Sequence, residues 1–417
     1  MMLSRSVRIT PIGLAVLLVS AAAAMGAPPE VNGKLETIGP FRVLRVWGTP
    51  EEMGFAHGYL VGAEHVSSLN QRIAGVPEEY RPRYLQRREA ALQAVNMPES
   101  AMTELQGMFK GIEAAQEGVP QIEVLDRPLR LDDLLVHNAV DMVRAFGCSG
   151  FTVWGERAGK AGVITARNFD FPADRSSVEK QMILVRQPTG RHQVATITWP
   201  GRIVAFTGLN DAGVCTFVHS GTGDPLQPPE GKFAPLTMVL KDVLETSGPG
   251  EAQANAEKAL GEVVPYPSSY MVRVVTPRLK SKDHKPARVF RVDAGALSEN
   301  PVGPFSSVTT NHYLGADFQP AEGVIEQLRY EAHPPTVYRY NLLNELVNGK
   351  LTEETIWQTL LEVATHVWTP TLHSVVVYPE QRRLDMAWAF YDGDIFMAAP
   401  ESQPTSISFQ QLFAAPE

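Results

Sequence analysis

The feature that most constrains the fold is a change of texture at Gly147-Cys148. Ahead of it, from Pro50 to Asn138, the pattern is helical. Behind it, short β-rich runs follow one another, separated by glycine pairs and Pro-Gly as hairpin turns require. Residues 151–154, 162–166, 182–185, 194–199, 203–206 and 214–218 read as strands. Helical pattern returns at 236–244 and 251–260, strands at 270–275, 287–292 and 306–310, helices at 336–347 and 352–362, and a closing hairpin at 371–377 and 384–390. Residues 28–47 read as one or two entry strands, and residues 131–145 as a helix that stops at Gly147. Helices, then antiparallel strands, then helices inserted between strands suit an α+β protein whose packed sheets are covered by helices.

Composition narrows the partners. The chain has 417 residues, 20% of them charged, with a net charge of −9 and no basic block. A dedicated nucleic-acid binder would need clustered Lys and Arg, so that class is excluded. Arg5 and Arg8 precede an apolar run from Ile12 to Val19, and Ala21 to Ala24 lead into Met25-Gly26-Ala27. That is the layout of a secretory signal peptide, assigned to residues 1–26. The expectation is therefore an exported protein, periplasmic or secreted. The apolar run is too short to serve as a stable membrane anchor. The Pro-rich stretch 225–235 reads as a surface loop or rim.

Two cysteines in an exported chain make no disulfide scaffold. Cys215 lies in the apolar run Gly213-Val214-Cys215-Thr216-Phe217-Val218 and reads as a small core residue. Cys148 follows Gly147 and precedes Arg167-Asn168-Phe169-Asp170-Phe171 by nineteen residues. A glycine carbonyl beside a thiol permits an N-to-S acyl shift, and hydrolysis then frees the Cys148 amine, whose reference pKa near 8 suits it to act as the thiol's base. Arg167 would steady the thiolate, and Asp170 would orient the amine. In a strand, i and i+3 face opposite ways, so a turn or bulge is expected to aim both inward. Ser149 or Thr152 could donate hydrogen bonds nearby. Asn311, at the end of a β-branched run, can offer its amide to an oxyanion. His312, next to it, should point away. Gly54, Ala56 and Gly58 would let a helix approach another element closely. No close His or Cys-His spacing suggests a metal site, and no Gly-rich loop suggests a nucleotide cofactor, so none is expected.

Taken together, these segments resemble a known family. Gly54-Phe55-Ala56-His57-Gly58, Gly147-Cys148-Ser149, Ala166-Arg167-Asn168-Phe169-Asp170, Gly208-Leu209-Asn210-Asp211-Ala212-Gly213, Thr310-Asn311-His312, Tyr338-Arg339-Tyr340 and Thr371-Leu372-His373-Ser374-Val375 occur in the family's order. The chain is similar to the acyltransferase and peptidase group typified by acyl-coenzyme A:6-aminopenicillanate acyltransferase, within the N-terminal nucleophile (Ntn) hydrolases. More distantly it is similar to bile salt hydrolases, penicillin V acylases and acid ceramidase. The resemblance implies an αββα sandwich, two stacked antiparallel sheets between helical layers. It implies self-cleavage at Gly147-Cys148, giving a small chain 27–147 and a large chain 148–417 that stay associated in one domain. It implies a catalytic set of Cys148, Arg167, Asp170, Asn311 and Arg339, with His219, Ser220 or a backbone N–H as the second oxyanion donor. The substrate expected is a small N-acyl amide with an apolar acyl group; Phe151, Trp154, Phe169, Phe171, Trp199 and Phe206 are candidate wall residues, and Arg339 or Arg202 could receive a carboxylate. Acyl transfer to an amine, and a non-catalytic binding protein on the same fold, are the alternatives.

Overall fold

A computed structural model describes residues 29–139, 147–221, 231–281, 283–314, 336–367 and 369–415. The sequence assigned to the signal segment and most of the Pro-rich stretch lie outside the described residues.

The chain enters through the hairpin β1 (Gly33–Ile38) and β2 (Phe41–Gly48). Thr49 then starts helix α1 (Pro50–Ala74): its hydroxyl accepts from the Glu52 N–H while the Glu52 carboxylate accepts from the Thr49 N–H, and Pro50 presets the first turn. Helices α2 (Arg81–Ala94) and α3 (Glu99–Ala115), the short pair β3 (Gln121–Ile122) and β4 (Arg127–Pro128), and α4 (Leu131–Asn138) follow. Next come β5 (Gly147–Trp154), β6 (Val163–Asp170), α5 (Arg175–Glu179), β7 (Met182–Pro188), β8 (Val194–Thr198), β9 (Thr207–Asn210) and β10 (Cys215–Ser220). The remainder supplies α6 (Leu236–Thr246), α7 (Ala252–Val263), β11 (Tyr270–Val275), β12 (Ala287–Val292), β13 (Ser298–Asn300), β14 (Ser306–Thr309), α8 (Thr336–Leu346), α9 (Glu353–Glu362), β15 (Thr371–Tyr378), β16 (Arg383–Trp388), the small hairpin β17 (Phe390–Asp392) and β18 (Ile395–Met397), and β19 (Thr405–Ser408).

Two sheets result, a nine-stranded one in the order β1-β2-β7-β8-β9-β10-β11-β12-β13 and a six-stranded one in the order β14-β5-β6-β15-β16-β19. Three apolar cores separate four layers. Leu44 and Leu184 pack with Met53, Leu105, Met108 and Leu240 of the first helical layer. Their neighbours Val43 and Ile183 turn the other way and meet Val375, Val377 and Met386 between the sheets. Val376 and Phe151 face outward from the second sheet onto Leu343, Ile356 and Leu360 of α8 and α9. Successive residues feed opposite cores because a strand alternates its side chains, and burial of both faces explains the continuous apolar runs. The architecture is the αββα sandwich.

Helices α1 and α3 touch almost backbone to backbone. A Cβ on Gly58 would lie 2.0 Å from the Met108 carbonyl oxygen, and one on Gly111 would lie 2.1 Å from that of Phe55. The expected close approach of the Gly54 and Gly58 face thus has α3 as its partner.

Several boundaries differ from the sequence reading. β2 and β7 run parallel, so the nine-stranded sheet is not wholly antiparallel, and residues 27–147 contribute two strands to that sheet and a separate short pair as well as helices. Residues 203–206 are not a strand. The Gly201 and Ile203 N–H groups donate to His57 Nε2 and Asn138 Oδ1, so side chains of α1 and α4 take the donors that a sheet neighbour would need. Helix α4 ends at Asn138, and residues 140–146 lie outside the described set. β5 begins at Gly147 itself, so Cys148 sits inside a strand rather than at its approach. Among the described residues, no helix is long and apolar enough to cross a membrane.

Candidate active site

Strands β5 and β6 pair without a break: Gly147 lies opposite Asp170, Cys148 opposite Phe169 and Gly150 opposite Arg167. The expected bulge between Arg167 and Asp170 is therefore absent; the register shift in this sheet falls on the β15 side of β6, between Thr371 and His373. The pleat sends Cys148, Arg167 and Phe169 toward the nine-stranded sheet. Asp170 turns to the opposite face, where Arg339 of α8 waits. Both reach Cys148 because they straddle its strand, not because the backbone kinks.

Each polar atom of Cys148 is held separately. Its Sγ lies 2.8 Å from Arg167 Nη2 and 3.6 Å from the Val218 carbonyl oxygen. Its N–H donates to Asn311 Oδ1 at 3.0 Å, and its carbonyl accepts from Arg339 Nη1 at 2.9 Å. Arg339 also donates to Asn311 Oδ1 at 2.8 Å and to Asp170 Oδ2 at 3.3 Å, while Thr371 Oγ1 donates to Asp170 Oδ1 at 2.7 Å. Asn311 Nδ2 donates to the Ser220 carbonyl at 2.8 Å, and Thr336 Oγ1 receives the Asn311 N–H at 2.7 Å. Arg167 is anchored through the Phe206 and Val218 carbonyls and through Thr207 Oγ1. All five residues of the expected set are thus brought together.

Burial dominates the electrostatics. It pushes the Cys148 thiol up, against the pull of Arg167, and pushes Asp170 up, against Arg339 and Thr371. The guanidinium groups of Arg167 and Arg339 are pulled down by the same loss of solvent. Arg167, 2.8 Å from Sγ, stabilises ionised Cys148 relative to a buried thiol without it. Cys215 is a free, buried thiol raised to about 12, as a core residue should be.

The remaining candidates separate clearly. His219 is fully buried, and neither ring nitrogen has a hydrogen-bond partner among the described residues. It alternates with Val218, whose side chain enters the helical core, and so faces between the sheets with Phe217. Burial first, then Arg167, Arg273 and Arg339, holds it well below the usual histidine range. Ser220 turns its carbonyl to Asn311. His312 bonds the Thr310 and Thr336 hydroxyls and packs edge-on to Tyr340 at 5.2 Å, away from Cys148. Ser149 lies on the face away from the thiol, and the Thr152 hydroxyl is engaged by Thr165, so neither serves Cys148. Gly147 is extended, not strained: it has no positive φ, and what its lack of a side chain provides is space, since a Cβ would lie 3.0 Å from that of Asp170.

Four of the six aromatic candidates gather at this end. Phe169 stacks on Phe171 at 5.7 Å and packs at a tilt against Phe206 at 5.7 Å and Trp199 at 6.2 Å, in the core that includes Cys148. Phe151 and Trp154 belong to other cores. Arg339 donates to the Cys148 carbonyl, Asp170 and Asn311, so its guanidinium is engaged within the site. Arg202 is buried, bonds His137 Nε2 at 3.0 Å and lies over Trp199. Thr371 and Thr336 escaped sequence reasoning, although Thr371 heads a segment that carried the resemblance. Among the described residues, no group of three or more His, Cys, Asp or Glu side chains could hold a metal ion.

No family model and no curated protein matches the chain. Solved structures do. An N-acylethanolamine-hydrolyzing acid amidase ortholog from Caenorhabditis elegans matches at 16% identity and a TM-score of 0.40, over 56% of this chain and 93% of that one. A mutant conjugated bile acid hydrolase from Clostridium perfringens matches at 11% identity and a TM-score of 0.41, over 63% and 97%. A penicillin V acylase from Agrobacterium tumefaciens matches at 14% identity and a TM-score of 0.34, over 58% and 83%. At these scores the chemistry of the site rests on this chain's own residues.

Proposed function

We propose that the protein is an exported, self-processing cysteine amidohydrolase of the Ntn type, acting on small N-acyl amides. The observation that carries the reading is the separate anchoring of Cys148 N, O and Sγ by Asn311, Arg339 and Arg167. Sequestering all three atoms suits a residue that must become both a nucleophile and a chain end.

In the processing step, Cys148 Sγ attacks the Gly147 carbonyl, the C–N bond breaks, and the departing nitrogen takes the proton. Water then hydrolyses the thioester and leaves Gly147 as a carboxylate. Residues 27–147 and 148–417 become two chains held by the shared nine-stranded sheet. In turnover, the freed amine takes the thiol proton, and Sγ adds to the amide carbonyl. Asn311 Nδ2 and the neutral His219 N–H stabilise the oxyanion; His219 is chosen over Ser220 because its ring nitrogens are uncommitted. The tetrahedral species expels the amine, which carries off the proton, and water releases the acid from the S-acyl-Cys148. Arg339 and Asp170 position Asn311 and the amine. The ring cluster of Phe169, Phe171, Phe206 and Trp199 favours an apolar acyl group.

Intact mass and turnover of an N-acyl amide panel, with and without acceptor amines, test this. We expect two fragments meeting at Gly147-Cys148, a mass adduct on Cys148 and release of free acid, and none of these for Cys148→Ala. Product passing wholly to the acceptor makes the enzyme an acyltransferase. A whole chain with an unreactive Cys148 that still binds the amides makes it a binding protein.

A further inference from the structure

The space between the sheets beside Cys148 holds a second buried guanidinium that the proposed mechanism does not use. Arg273 is the lone charged residue in the apolar strand Tyr-Met-Val-Arg-Val-Val of β11, and it is fully buried. Its neighbours Val272 and Val274 enter the helical core, so its side chain projects between the sheets. It lies opposite Phe217, with its charge 4.7 Å from the ring centroid, and donates from Nη2 to the Ala166 carbonyl at 2.8 Å. Nε and Nη1 have no partner among the described residues.

Position 150 makes room for this arrangement. Gly150 is two residues beyond Cys148 on the same face of β5, and a Cβ there would lie 2.5 Å from the Ala166 carbonyl oxygen and 2.7 Å from Arg273 Nη2, the two ends of that hydrogen bond. The guanidinium therefore occupies the side-chain place next to the nucleophile, one same-face step, about 7 Å, along the strand. Arg167 also approaches Phe217, its charge 5.9 Å from the ring centroid.

Three of the other fully buried arginines have carboxylates, while Arg202 bonds His137. Arg45 pairs with Glu36, Arg186 with Glu104 and Glu245, and Arg339 with Asp170. Among the described residues Arg167 and Arg273 have no carboxylate at ion-pair distance. They are held instead by backbone carbonyls and ring faces. Two cations, one from each sheet, are thus enclosed between the sheets, and Cys148 is the group there able to supply a matching negative charge. Cys215, also near Arg273, stays protonated, its thiol raised to about 12. Burial pulls Arg273 itself down to about 9, and the charge of Arg167 adds to the effect.

We propose that Arg273 is a positioning residue that stabilises the Cys148 thiolate through space, in series with Arg167, and that Gly150 is there to admit it. This rests on Cys148 being the nucleophile. It adds a second cation to the thiol's surroundings without any contact to substrate.

The test compares Arg273→Gln, which can keep the donation to Ala166 without the charge, with Arg273→Lys, which keeps the charge. Ionisation of Cys148 is read as ultraviolet thiolate absorbance against pH, each protein minus its own Cys148→Ala counterpart, with circular dichroism to check the fold. The midpoint should rise by about one unit in Arg273→Gln, leaving about tenfold less thiolate below both midpoints. In Arg273→Lys it should stay with the wild type. An unmoved midpoint in a folded Arg273→Gln, or a rise in Arg273→Lys as large as in Arg273→Gln, overturns the proposal. Should Arg273→Gln fail to fold, Arg273→Lys decides alone, because a charge-independent role predicts a shifted midpoint there. The readout does not depend on turnover: hydrolysis that survives Cys148→Ala sinks the functional reading and leaves this measurement standing.

Discussion

Replacing Arg339 with methionine isolates the buried charge on which the site is assembled. Asp170 is fully enclosed, with Arg339 Nη1 at 3.3 Å and the Thr371 hydroxyl at 2.7 Å. Removing one member of a buried ion pair costs about 3–5 kcal/mol, because the remaining charge keeps its desolvation penalty. The cost must depend on pH. Burial already raises Asp170 above its ordinary value, and loss of the guanidinium raises it further. A carboxyl whose folded pKa lies above its unfolded one binds more protons folded than unfolded between the two values. Stability therefore falls as pH rises through that window and recovers as pH drops toward about 4. In urea melts, Arg339→Met should lose about 4 kcal/mol near pH 8, and the loss should shrink by about 2 kcal/mol near pH 5. Asp170→Asn combined with Arg339→Met should abolish the pH dependence. An equal loss at both pH values, or a double variant as pH-dependent as the single one, would refute the assignment of an unpaired Asp170.

Three further outcomes follow from other parts of the molecule. Gly58→Ala gains about 1 kcal/mol of helix propensity but drives a methyl into the Met108 carbonyl, whose contact at 2.0 Å cannot be relieved by a rotamer change. A net loss of about 2 kcal/mol or more in thermal or urea unfolding is expected. His57, held near 3 by burial, accepts the Gly201 N–H at Nε2, so its depressed pKa makes stability fall as pH drops from about 6.5 toward that value; His57→Gln, which can still accept, should flatten the acid limb by about one proton. Glu104 sits with Glu245, Arg186 and Lys241 in a buried four-charge cluster joining α3 to β7 and α6. Glu104→Gln should cost about 3 kcal/mol, read as a lowered midpoint in urea unfolding.

The sequence by itself determined the order and type of the elements, because alternation with both faces buried and helical spacing are local patterns. The break at Gly147-Cys148, the glycine face of α1 and the apolar strand runs could all be read without coordinates. So could the identities of Cys148, Arg167, Asp170, Asn311 and Arg339, through the resemblance of the segments that carry them. Only the tertiary structure decided how these residues meet. The i, i+3 spacing of Arg167 and Asp170 implied a bulge, yet an unbroken strand serves both because the strand of Cys148 can be approached from its two faces. Residues 203–206 have strand composition but no strand, since Asn138, far away in sequence, takes the Ile203 N–H and His57 takes that of Gly201 just before them. The parallel pairing of β2 with β7 joins segments well over a hundred residues apart, a register that no local pattern encodes. Arg273 beside Cys148 belongs to the same class: its charge in an apolar strand was visible, but its closeness to the thiol exists only where two sheets pack.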